Sequence, residues 1–106
     1  VTDALFQEAK GEIETLGVEI LEARLLPELA GSWYIIVNTK PMLRLMWDRS
    51  SGWLVLEERI DGIPAGPLIW KDIWIAENFD GAAIKRGAEI IGKMTEMNSG
   101  AVKLDK

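Results

Sequence analysis

Two stretches whose apolar residues recur every three or four positions bracket a long middle in which they recur every second position. In the first stretch Leu5, Phe6, Ala9, Ile13 and Leu16 share one side of a predicted helix over about residues 3–16. Thr2 or Asp3 serves as its cap and Gly17 as a left-handed stop. Gly11 weakens this helix by roughly 1 kcal/mol against alanine, so packing must hold it. In the last stretch Ala83, Ile84, Ala88, Ile91 and Met94 form the inner stripe of a helix over about 80–97. Asn78 or Asp80 caps it and Asn98-Ser99-Gly100 stops it. The middle divides at turn-forming residues into strands at about 18–26, 33–38, 42–48, 53–60 and 68–76. A phase slip at Ile20-Leu21 suggests a bulge. Short turns force neighbouring strands to run antiparallel. The expected fold is therefore a single α+β domain over 1–106: an antiparallel five-stranded meander flanked by an N-terminal and a C-terminal helix.

Turn geometry then phases the strands. A turn at Arg49-Ser50-Ser51-Gly52 sets Asp48 opposite Trp53, Met46 opposite Val55, Leu45 opposite Leu56 and Arg44 opposite Glu57; the last pair is opposite in charge and the one before it is apolar, as cross-strand pairing favours. A two-residue reversal at Thr39-Lys40 sets Ile36 opposite Leu43 and Tyr34 opposite Leu45. One face then gathers Tyr34, Ile36, Leu43, Leu45, Trp47, Leu54 and Leu56 as the seat for the helices. The other gathers Trp33, Ile35, Val37, Met42, Arg44, Met46, Trp53, Val55, Glu57 and Arg59. Strict alternation adds Leu68, Trp70, Asp72 and Trp74 to this second face and sends Ile69, Ile73 and Ile75 to the core. Four of the five tryptophans are thus expected opposite the core, where a sheet with one free face normally turns polar. Either a partner covers these indoles or the sheet curls and they are core themselves.

Composition narrows the chemistry. The 106 residues contain no Cys and no His. Disulfides, thiolate nucleophiles, imidazole ligands and the commonest general base are excluded. A Cys-free chain fits a cytoplasmic location, and Val1-Thr2-Asp3 has neither the basic start nor the apolar run of a secretory signal. No apolar run approaches the roughly 20 residues that span a bilayer. The net charge of −5 disfavours nucleic acid and anionic membrane and suits a basic protein partner.

No motif names a reaction. Glu57 and Glu58 are adjacent on a strand and point to opposite faces, so they cannot share a substrate. Asp72 can converge with Glu57 or with Asp48, but only if the fold brings them together. Asp61, Glu58 and Asp80 lack the spacing of a calcium loop, and no metal or other cofactor is expected. Ser50-Ser51 reads as turn chemistry, and Gly62 to Gly66 lacks the ending of a phosphate loop. No catalytic residue is assigned. The charges Arg44, Glu57, Arg59 and Asp72 among the indoles have two readings, a partner-selecting set or a cross-strand ion-pair ladder.

The segments Trp33-Tyr34-Ile35-Ile36-Val37, Leu43-Arg44-Leu45-Met46-Trp47-Asp48 and Gly52-Trp53-Leu54-Val55-Leu56 resemble in texture the small immunity proteins of bacterial toxin–immunity systems. The likeness covers about half the chain and rests on no diagnostic motif. It implies an acidic, tryptophan-rich α+β domain that binds a cognate toxin, often a basic nuclease, and blocks it. The chain also resembles the acidic, dimeric type III secretion chaperones, but those place a helix among the strands and none is predicted here. The expectation is a non-catalytic protein-binding module whose contacts are Arg44, Asp48, Trp53, Glu57, Asp61, Trp70, Asp72 and Trp74. The competing expectations are a small-molecule binder or enzyme with a cavity between sheet and helix, and a homodimer that buries the tryptophan face.

Overall fold

A computed structural model describes residues 2–26, 31–60, 69–77 and 81–103. Along the chain run α1 (Thr2–Thr15), β1 (Ile20–Leu26), β2 (Ser32–Val37), β3 (Leu43–Asp48), β4 (Trp53–Ile60), β5 (Ile69–Ala76) and α2 (Gly81–Lys103). The strands form one antiparallel sheet in chain order. This is the α+β meander that the turns predict. Boundaries shift by a residue or two except at the end of α2, which continues to Lys103 through Asn98-Ser99-Gly100. Gly100 costs such a helix roughly 1 kcal/mol, and no proline follows to break the ladder. Thr2 and Asp3 already belong to α1. The expected caps Asn78 and Asp80, Leu68, and Asp61 with its loop lie outside the described residues.

Gly17 ends α1 with φ of 77°, a left-handed conformation that side chains resist. The amides of Leu16 and Gly17 donate to the carbonyls of Ile13 and Glu14, each at 3.0 Å. Phe6, Ala9 and Ile13 carry the inner stripe of α1 into the core. Ala83, Ile84, Ala88 and Ile91 do the same for α2. Leu16 departs from the expected stripe and is 38% exposed. It leans on α2 instead, its Cδ2 3.2 Å from the position a Cβ on Gly92 would take.

Both helices lie on one face of the sheet, over Trp33, Ile35, Val37, Leu43, Leu45, Trp47, Leu54 and Leu56. The β3–β4 pairing matches the expected register, with Arg44 opposite Glu57 and Asp48 opposite Trp53. The β2–β3 pairing does not. Val37 faces Leu43 and Trp33 faces Trp47, so the connection holds the odd run 38–42 rather than a two-residue reversal. One added residue turns every β2 side chain over. Trp33, Ile35 and Val37 are therefore core, at 0%, 0% and 1% exposure. Tyr34 and Ile36, expected inside, lie on the opposite face.

Both sheet edges carry a register break. On β1 it falls between Ile20 and Glu22, where the phase slip predicts a bulge, and it turns Leu21 out to 46% exposure. On β5 it falls between Asp72, which faces Glu57, and Trp74, which faces Leu56. Ile73 is the extra residue. The break moves Trp74 to the helix side and Ile75 to the other side, the reverse of what strict alternation predicts. Under α2, Gly87 lets the helix approach this indole: a Cβ there would stand 3.2 Å from Trp74 Cζ3 and 3.3 Å from Leu45 Cδ1.

Candidate functional site

The helix-free face is organised by cross-strand pairing into two rows. One runs Arg24, Tyr34, Met46, Val55, Ile75 from β1 to β5. The next runs Glu22, Ile36, Arg44, Glu57, Asp72. Trp53 continues the face at one end, opposite Asp48. Trp70 continues it at the other, opposite Arg59. No residue of the two rows is buried, because both helices lie on the other side. Trp53 is 39% and Ile75 41% exposed. The first row is thus an apolar band across β2–β5, and the second is mostly charged.

Among the described residues, three of the four acids on this face are held by neighbours. Glu22 Oε2 accepts from the Tyr34 hydroxyl at 2.7 Å. Partial desolvation and then that hydrogen bond hold the Tyr34 phenol above its ordinary pKa. Asp48 Oδ1 accepts from the Ser50 amide at 3.0 Å and the Ser50 hydroxyl at 2.7 Å. The Ser50 hydroxyl bond is the main cause that holds the Asp48 carboxyl below its ordinary pKa. Glu57 Oε1 accepts from Arg44 Nε at 2.7 Å. The Arg44 guanidinium in turn lies over the Trp70 ring, 4.4 Å from its centroid, a stacking that desolvated sites reward. Arg44 and Glu57 side chains are 23% and 12% exposed. Asp72 is the exception. It is exposed and makes no hydrogen bond or ion pair among the described residues.

Of the eight residues singled out from sequence, the fold brings Arg44, Asp48, Trp53, Glu57, Trp70 and Asp72 onto this face. Trp74 is corrected to the helix side, and Asp61 is not described. Only two of the five tryptophans face outward, Trp53 and Trp70; Trp33 and Trp47 are core and Trp74 packs beside it. The charge ladder and the aromatic surface turn out to be one assembly, since Arg44 serves both Glu57 and Trp70.

No family model, no curated protein and no solved structure matches the chain.

Sequence reasoning missed Ile75 and Tyr34 on this face. For Tyr34 a signal existed, since a phenol hydroxyl seeks a polar partner and Glu22 and Arg24 were at hand on the neighbouring strand. For Ile75 there was none, because its orientation depends on the extra residue Ile73. Among the described residues no Asp and Glu group is arranged to hold a metal, and no helix is long and apolar enough to cross a membrane. A depression of about 420 Å3 lies at the β2–β3 connection, lined by Asn38, Thr39, Lys40, Pro41, Met42 and Arg59. It is separate from the aromatic face except through Arg59.

Proposed function

We propose that this chain is a non-catalytic protein-binding module of the immunity type, which neutralises a basic toxin domain in the cytoplasm by covering its working surface. The observation that carries the reading is the helix-free face: an apolar band of Tyr34, Met46, Val55 and Ile75, with Trp53 and a stacked Arg44–Trp70 pair beside it. Exposed Trp, Met and Arg are the residue types in which binding energy concentrates. Arg44 is already immobilised by Glu57 and Trp70, so little side-chain entropy remains to be lost on docking. The net charge of −5 favours encounter with a basic partner.

The sheet edges support use of the face rather than strand addition. Both edge strands are bulged, and both carry charge, Glu22 and Arg24 on β1 and Lys71 and Asp72 on β5. Such edges resist pairing with a further strand.

The test is binding to the polypeptide encoded immediately beside this one. The expected result is a one-to-one complex that Trp53→Ala and Ile75→Asp each weaken at least tenfold while the melting temperature stays within a few degrees. A chain that ignores that polypeptide, or that light scattering shows to bury the same face in a dimer, overturns the proposal.

A further inference from the structure

Asp72 is set against a neighbour of its own charge. It pairs directly with Glu57 across β4–β5, and like charges so placed destabilise a sheet. Arg44 answers only Glu57, through Nε at 2.7 Å, while its guanidinium plane is spent on Trp70. Glu22 and Asp48 have their own donors. Asp72 is left with no hydrogen bond or ion pair among the described residues, beside the exposed Ile75 at 41% and the Trp70 indole.

We infer that Asp72 receives a lysine or arginine side chain of the partner, whose methylene stem lies along Ile75 and Val55. This rests on the reading of the helix-free face as the binding face and names the chemistry that face selects. A cation there relieves the Glu57–Asp72 repulsion, and long basic side chains cover apolar surface with their stems while keeping the charge at a carboxylate. Charge complementarity favours a basic polypeptide over a second copy of this acidic chain.

The probe is a capped Leu-Arg-Leu-Arg-Leu peptide and its counterpart with citrulline, the uncharged isostere, in place of arginine. Binding is followed on the full chain by the indole N–H resonances of Trp53 and Trp70. The expected result is that the arginine peptide shifts both resonances and that citrulline weakens it about threefold, as for a solvent-accessible ion pair. Asp72→Asn should impose the same loss on the arginine peptide and none on the citrulline peptide, so that the two changes are not additive. Glu89→Gln, which removes a charge on α2, should leave the difference between the peptides intact. Additive losses, or an equal effect of Glu89→Gln, overturn the inference while the binding face stands. If neither peptide moves the indoles, both fall.

Discussion

Exchanging Trp33 and Trp53 in turn for phenylalanine separates the two faces of the sheet by stability alone. Trp33 is 0% exposed and its ring lies 5.6 Å from that of Phe6 on α1. Phenylalanine removes the pyrrole edge from a packed layer, which costs about 1–2 kcal/mol in lost burial and residual cavity. For a domain of this size each kcal/mol lowers the melting temperature by roughly 4–8 °C. Trp33→Phe should therefore melt about 5–15 °C below the parent. Trp53 is 39% exposed, and trimming a surface side chain stays within about 0.5 kcal/mol. Trp53→Phe should melt within about 4 °C of the parent. Circular dichroism on heating reads both, and urea titration with an unchanged slope confirms that the native fold is kept. Equal losses, or a larger loss for Trp53, would refute the assignment of Trp33 to the core and with it the β2–β3 register.

Two further predictions concern the polar fittings of the outer face. Arg44→Met keeps the stem but strips Glu57, 12% exposed, of its ion pair with Arg44 beside Asp72; it should cost about 1–2 kcal/mol, and Arg44→Met with Glu57→Gln should cost less than the sum of the single changes. The Asp48 carboxyl has its pKa lowered in the folded chain, so its contribution is present above the unfolded value near 3.8 and is lost as pH falls through the folded value. Asp48→Asn should then be less stable than the parent at neutral pH by urea titration, and the gap should close as pH falls past 3.8 and through the lower folded value; a gap constant with pH would remove the ionised Asp48 from the turn.

Much of this architecture was legible because helix and strand periods are properties of the local sequence. The β3–β4 hairpin was legible to the residue, since Arg49-Ser50-Ser51-Gly52 leaves few ways to close and Asp48 ties the turn through Ser50. The β2–β3 connection was not. Asn38-Thr39-Lys40-Pro41 allows a reversal of even or odd length, and hydrophobicity does not choose between them, because β2 is apolar on both sides: Trp33, Ile35 and Val37 on one, Tyr34 and Ile36 on the other. A strand with no polar side carries no phase of its own and takes it from its neighbours. The choice is made in three dimensions, where the larger Trp33 fills the space beneath Phe6 and the Tyr34 hydroxyl reaches Glu22.

The same reasoning explains why the candidate site is not where a count of tryptophans puts it. On β5, Trp70 and Trp74 are four residues apart, and uninterrupted pleating would place them on one face. Ile73 interrupts it. The strand then divides its labour: before the bulge Trp70 and Asp72 join Arg44 and Glu57, and after it Trp74 joins Leu45 under Gly87 while Ile75 extends the apolar band. A β5 that paired Ile73 regularly instead of bulging it would turn Trp74 out of the core and Ile75 into it, and α2 would lose the indole against which Gly87 packs. The bulge thus serves the core and the outer face at once. That double service is a physical reason for an edge strand to keep an irregularity that weakens its own hydrogen-bond ladder.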